Sequence, residues 1–240
     1  MKAMILAAGY GTRLKPLTDT KPKALIEVQG APLLQHAINY LKKFNITDII
    51  INVHHFAEQI LDFLKENQNF GINIQISDER EQLLDTGGGI KKAKWFFDND
   101  EPFMVYNVDI LSDIDLNQLI EYHKNSDALS TLAVKERETS RQILFDEENN
   151  LCEWRNVITG EKKICREAVG KLQPLGFSCI HIINPQIFDL MTEEGPFSIM
   201  DFYLEHARQC NIKAFIHNES QWYDVGRLAH IEEINSKKLY

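Results

Sequence analysis

The chain has 240 residues, 44% of them hydrophobic and 25% charged, with a formal net charge of −9. Disorder would need fewer apolar residues, and a chain of this size folds without disulfides or a structural metal. The acidic balance excludes a general nucleic-acid binder, no window nears the ~18 apolar residues of a membrane span, and the start, MKAMILAAGYGTR, does not read as a signal peptide, so a cytoplasmic protein is expected.

In chain order, the continuous apolar run Ala3–Ala8 predicts a strand buried on both faces. Leu33–Phe44 carries a helical stripe, Ile49–Val53 is strand-like, and Phe56–Leu64 repeats as a helix. Ile72–Ile76 alternates as a strand, Ile90–Phe97 predicts a helix, Phe103–Val108 a strand and Leu116–Tyr122 a helix. After about Ser126 the pattern changes. Leu129–Val134 and Gln142–Phe145 read as strands, and Asn149-Asn150 turns the chain into Leu151–Arg155. Gly176–Ile183 is a further strand, Phe197–Cys210 a helix, Ile212–His217 a strand and Leu228–Lys237 a final helix. Strand–helix alternation at this spacing predicts an α/β protein: a three-layer α/β/α sandwich around a Rossmann-like, mostly parallel mixed sheet. No Pro/Gly/Ser linker divides it, so one domain over 1–240 is expected, its second half extending the sheet and adding a flap. Ligands of such sheets sit beyond the carboxyl ends of the strands.

Charge is unevenly placed. Residues 1–30 hold five basic groups (Lys2, Arg13, Lys15, Lys21, Lys23) against Asp19 and Glu27, a local +3 that leaves −12 for the rest. A small basic island in an acidic protein suits a small polyanion. The four cysteines, at 152, 165, 179 and 210, form no CxxC and read as reduced structural thiols. His54-His55 is a strand-end turn rather than a metal pair, because adjacent residues point apart.

The segment Leu6–Leu25, LAAGYGTRLKPLTDTKPKAL, places two glycines and a threonine directly after a buried strand. Such glycines let backbone N–H groups approach a ligand, and successive amides form an anion-binding concavity. No G-K-[ST] follows, so this is not a Walker A loop, and Leu14 stands where a dinucleotide fingerprint has its third glycine. Asp85–Ile90, DTGGGI, is a second glycine cluster that reads as a ligand-approach loop ahead of a helix. Asn107-Val108-Asp109 ends a buried strand; a carboxylate there is a helix N-cap or a metal ligand, and Asp113 or Asp115 serves better as the cap. Asp224, in Trp222–Gly226, completes a pair of hard oxygen donors. Asp201, after FSIM, reads as a first-turn helix acid.

The twenty-residue run resembles the signature of the sugar-1-phosphate nucleotidylyltransferases, L-A-A-G-x-G-T-R-L-x-P-L-T followed by P-K-x-L. Leu6 to Gly9, Gly11 to Leu14, Pro16 to Thr18, Pro22, Lys23 and Leu25 carry the match, and Val28, Gly30, Pro32 and Leu33 continue it. DTGGGI is similar to the E-T-G-G-G-I of N-acetylmuramic acid 1-phosphate uridylyltransferases, enzymes of peptidoglycan recycling. Trp222-Tyr223-Asp224-Val225-Gly226 resembles the late W-x-D-V-G motif. Val108 departs from the small residue of the family's N-G-D or N-A-D.

The resemblance implies the nucleotide-diphospho-sugar transferase fold, with about 1–126 as the nucleotide-binding half and about 127–240 as the sugar-binding half. It implies transfer of a nucleotidyl group from an NTP, UTP by this likeness, to N-acetylmuramic acid 1-phosphate. Heptose, mannose and glucose 1-phosphates stay open as acceptors. Arg13 and Lys23 become the catalytic cations. Ala8, Gly9, Gly11, Thr12, Gly87 and Gly88 become nucleotide contacts, and Asn107 and Glu153 sugar contacts. Asp109 and Asp224 become ligands of Mg²⁺. The expected partners are the NTP and the sugar 1-phosphate, with no nucleic acid or membrane, and the oligomeric state is left open. Glu161-Lys162 lies near the family's E-K pair but lacks its proline. No hexapeptide-repeat segment follows Asp224, so acetyl transfer is not expected. Outside the class, a metal-dependent glycosyltransferase would not need the Arg13/Lys23 signature, and a silent nucleotide-binding module would be expected to lack one of Arg13, Lys23, Asp109 or Asp224.

Overall fold

The structure is a computed structural model that describes residues 1–236. The first half runs β1 (Lys2–Leu6), β2 (Glu27–Val28), β3 (Ala31–Pro32), α1 (Leu33–Lys43), β4 (Asp48–Val53), α2 (Ala57–Glu66), β5 (Asn73–Asp78), α3 (Asp85–Lys92), β6 (Phe103–Asn107), β7 (Ile110–Ser112) and α4 (Leu116–Lys124). The second half adds β8 (Ser130–Lys135), β9 (Arg141–Phe145), β10 (Leu151–Asn156), β11 (Lys162–Ile164), β12 (Gln173–Ile183), α5 (Ile187–Leu190), α6 (Ile199–His206), β13 (Ile212–Ile216), β14 (Trp222–Asp224) and α7 (Leu228–Ser236).

The spatial order of the main sheet is β5-β4-β1-β6-β12-β8-β13, parallel except for β12, which runs against both neighbours. The first three residues of β12 pair with β9, which leads to β10 and β11 and forms an antiparallel flap. Side chains alternate across the pleat and so serve two cores. Ala3, Ile5, Ile49, Ile51, Met104 and Tyr106 face one core with α1, α2, α4 and α7. Met4, Ile50, Phe103 and Val105 face the other with α3, α5 and α6. The molecule is therefore the expected three-layer α/β/α sandwich. Asp115 caps α4, its carboxylate accepting from the amides of Asn117 and Gln118 at 2.9 and 3.4 Å.

Several boundaries differ for physical reasons. β1 stops at Leu6 rather than Ala8, because the amides of Ala7 and Ala8 leave the ladder for the side chain of Asn52. The helix expected over Ile90–Phe97 starts earlier, at Asp85, and ends as a 3₁₀ turn over Ala93–Phe96. The helix expected over Phe197–Cys210 is confined to Ile199–His206, capped by Ser198, whose hydroxyl accepts from the amide of Met200. The end expected at Lys237 lies outside the described residues. The short strands β2, β3, β7, β11 and β14 were not legible, being too brief to show a period. No helix among the described residues is long and apolar enough to cross a membrane.

Candidate active site

The loop after β1 is held from below by a buried polar chain. Asn52, in β4, accepts from the amides of Ala7 at 2.6 Å and Ala8 at 3.3 Å. Its own amide donates to Glu79 Oε1 at 2.8 Å, and Glu79 Oε2 accepts from the amide of Leu84 at 3.0 Å. Glu79 has no exposed surface, and burial raises its carboxyl pKa against the pull of those two donors. With Ala7 and Ala8 fixed, the chain turns at Gly11, whose φ of 65° is left-handed. A Cβ there would come within 2.9 Å of Thr18 Cγ2 and 3.0 Å of Lys23 Cβ, so glycine is also required by space. Thr18 Oγ1 donates back to Gly11 O at 3.0 Å, and Leu14 N to the same oxygen at 2.8 Å, which folds Arg13 and Lys23 around the turn. The amides of Gly9, Tyr10 and Gly11 donate to no other protein group among the described residues. They remain as donors for an anion. Tyr10 leans over the turn, its hydroxyl 3.0 Å from His54 Nε2, while His54 Nδ1 lies 2.6 Å from Glu79 O. His54 is thus a strut, not a metal ligand.

Two carboxylates meet the basic loop through a pairing of short strands. β14 runs antiparallel to β7, with Asp224 opposite Ile110, and Val225 N donates to Asp109 O at 2.9 Å. Asp109 forms an ion pair with Lys23, both side chains largely buried. Gly226 marks where the groups converge. A Cβ built on it would lie 2.6 Å from Asp224 Oδ1, 2.9 Å from Arg13 Nη2 and 3.3 Å from Asp109 Oδ2. Gly226 N donates to Asp224 Oδ1 at 2.7 Å and fixes that carboxylate. Arg13, Lys23, Asp109 and Asp224 are thus brought together from positions spread over the whole chain. Asn107 ends β6 opposite Leu6, beside this cluster along the chain, and is half-buried.

The far wall was not legible in the sequence. β12 slips register between Phe177 and His181, and Cys179 sits in that bulge at φ 57°. Burial, then the carboxylates of Asp109 and Asp224, push its thiol up to about 12, with Arg137 and Lys23 pulling the other way. All four cysteines are free. Arg137 sits over the ring of Trp222, its guanidinium carbon 4.4 Å from the ring centroid. Its Nη2 donates to Phe177 O at 2.9 Å. Gly176 makes the room, since a Cβ there would stand 2.6 Å from Arg137 Nε.

Gly87, Gly88 and Glu153, expected as ligand contacts, each pack against other parts of the chain. Gly87 and Gly88 lie in the first turn of α3, and both amides donate to Phe197 O, at 2.9 and 3.3 Å. A Cβ on Gly87 would strike the Phe197 ring at 2.3 Å, and one on Gly88 would meet Gly195 O at 2.5 Å. These glycines let the helix seat against the 195–198 segment; they do not line an open loop. Glu153 is 8% exposed in β10, opposite Leu144 and Ile164, and the buried thiol of Cys165 feels its charge. No contact links Glu153 to Arg13, Lys23, Asp109 or Asp224 among the described residues. Asp201 is a first-turn acid of α6, paired with Lys163 at 2.8 Å. Of the missed residues, only Asn52 left a trace, as a polar side chain inside the apolar run Ile49–Val53.

A divalent cation fits the donor set. No group of three or more His, Cys, Asp or Glu that could cage a metal occurs among the described residues. The two converging carboxylates instead suit a hard cation that completes its shell with water and phosphate oxygens.

The comparisons with known proteins agree with the fold. The model of the family described as nucleotidyl transferase matches residues 2–144. The chain is 33% identical over 231 residues to a mannose-1-phosphate guanyltransferase of Yarrowia lipolytica, covering 95% of this chain and 61% of that protein. It thus spans about three-fifths of that relative's length. It is 31% identical over 235 residues to an N-acetylmuramate alpha-1-phosphate uridylyltransferase of Caulobacter vibrioides, covering 93% of this chain and 91% of that protein. Among solved structures, HddC from Yersinia pseudotuberculosis superposes with a TM-score of 0.79 at 23% identity, covering 98% of each chain.

Proposed function

The chain belongs to the nucleotidyl transferase family, and on that premise we propose that it joins an NTP to a sugar 1-phosphate, releasing pyrophosphate. The reading is carried by one observation: two fixed cations and two carboxylates converge around Gly226, beside a turn of unused amides. The nucleotide we assign is UTP and the sugar N-acetylmuramic acid 1-phosphate, in a cytoplasmic route that recycles peptidoglycan. The likeness of DTGGGI and the uridylyltransferase relative support that choice.

An oxygen of the sugar phosphate attacks the α-phosphorus, a new P–O bond forms, and the bond to the bridging oxygen breaks with its electron pair leaving on pyrophosphate. The nucleophile is already an anion, so no side chain needs to take a proton. What the protein supplies is position and charge. The amides of Gly9 to Thr12 cradle the triphosphate. Arg13 offsets the charge that grows on pyrophosphate. Lys23, held by Asp109, reaches the α-phosphate or the sugar phosphate. Asp109 and Asp224 would hold Mg²⁺, which when bound supplies further neutralisation of the phosphate oxygens.

The test is pyrophosphate release with Mg²⁺ across UTP, GTP, CTP and dTTP against muramic acid, heptose, mannose and glucose 1-phosphates. Release is expected with UTP and N-acetylmuramic acid 1-phosphate, and Asp109→Asn should abolish it. Release only from GTP with mannose 1-phosphate would replace the substrate pair and keep the reaction. No release from any combination would overturn the reaction itself.

A further inference from the structure

Arg137 has no role in the transfer as described above, yet it is held with unusual care. Its guanidinium is packed between the Trp222 ring, 4.4 Å away, and the bare Cα of Gly176, where a Cβ would come within 2.8 Å of the guanidinium carbon. One donor is used, Nη2 to Phe177 O at 2.9 Å. Nε is shielded from solvent and has no partner. Among the described residues no carboxylate lies within ion-pair distance of Arg137, although the protein carries 35 acidic side chains. Burial works against its charge, with only Cys179 and Asp224 in opposition. A half-buried cation left without an acid costs desolvation that a bound anion offsets.

Its place says which anion. Trp222 lies two residues before Asp224, and Phe177 two residues before Cys179, whose thiol feels both Asp109 and Asp224. Arg137 therefore borders the site from the side of β8, β12 and β14, while Arg13 and Lys23 approach it from the loop after β1. The phosphates already have those two cations and the loop amides. A third cation, brought in by other elements, answers a further negative group. A guanidinium fixed in plane offers a fork of donors that matches a carboxylate better than a point charge does.

We propose that Arg137 holds a carboxylate of the sugar substrate, so that the site selects acidic sugar 1-phosphates over their neutral counterparts. The assignment rests on the proposed transfer, and it names the residue that reads the sugar.

The test compares N-acetylmuramic acid 1-phosphate with N-acetylglucosamine 1-phosphate, which has a hydroxyl where the acidic sugar carries its lactyl ether and carboxylate. Binding is followed by calorimetry with each sugar phosphate, and pyrophosphate release is measured separately with UTP and Mg²⁺. The wild type should bind the acidic sugar about 10–100-fold more tightly, the range of a charge-assisted bidentate contact. Arg137→Met should collapse that ratio toward one, and Arg137→Lys should restore part of it, which guards against a variant that merely misfolds. Equal binding of the two sugars by the wild type, or an equal loss of both in Arg137→Met, overturns the proposal. Acid preference without pyrophosphate release would leave Arg137 assigned and overturn the reaction. Release with equal use of both sugars would do the reverse, and neither binding nor release would overturn both.

Discussion

A methyl group at position 226 has no room that is not already occupied by the charged ends of Asp224, Arg13 and Asp109. Those ends are flexible, so the fold would give way there cheaply while the geometry of the site would not. Gly226→Ala is therefore expected to keep its melting temperature within a few degrees and to lose on the order of 10²-fold in turnover, the usual cost of a small misplacement. A variant that turns over like the wild type would break the link between Gly226 and the cluster. Arg13→Ala and Lys23→Ala should each cost on the order of 10²–10³ in turnover, as for other lost charge-stabilising donors. Lys23→Ala has a second consequence, because it leaves Asp109 largely buried without its cation. Its thermal stability should fall further than that of Arg13→Ala, and equal melting temperatures would contradict the ion pair.

At the scale of elements, α3 shows a glycine run used for packing. Alanine would raise intrinsic helix propensity by roughly 1 kcal/mol per residue. At Gly87 the new methyl would meet the Phe197 ring at 2.3 Å and Phe197 O at 3.0 Å. Overpacking of that kind costs about 1–3 kcal/mol, so Gly87→Ala should lower the denaturant midpoint. Phe197→Ala in the same chain should recover part of the loss, a coupling that a double-mutant cycle reads. A Gly87→Ala protein more stable than the wild type would mean that the helix is not seated as described. The β7–β14 pairing is the other element that matters. It is three residues long, and its register, continued by the bond from Val225 N to Asp109 O, sets Asp224 near Asp109.

Across the whole molecule, three buried histidines predict how stability follows pH. His123, His181 and His217 are 2%, 1% and 6% exposed. Burial holds all three below the ordinary imidazole value, His181 at about 3 and His217 at about 4, with Lys135 adding to the effect at His217. The unfolded chain then binds more protons than the folded one between about pH 6.5 and those values. The stabilisation is complete above pH 6.5 and is lost as pH falls toward 4, at roughly 1.4 kcal/mol per pH unit for each imidazole in its window. Melting temperatures measured from pH 7.5 down to pH 4.5 should drop steeply below 6.5. A flat profile would contradict the buried, neutral histidines.

The turn over residues 6–25 was legible because it is local: the glycines, Thr12, Arg13 and Lys23 lie within one short segment. The alternation of apolar runs likewise determined the layered sheet, since burial on both faces demands it. Asp109 was legible as a carboxylate just past an apolar strand, and Asp224 through its motif. The partners Asn52 and Glu79, the closing of Gly226 on Asp224, the packing of Gly87 and Gly88 on Phe197, and the seat of Arg137 on Trp222 were not. Each joins segments far apart in the chain, and a single sequence carries no sign of which polar residue another will meet. Local spacing determined which elements and which glycine-rich turn this chain would have. Only the tertiary structure decided which charges face one another, because that depends on register and close approach between elements.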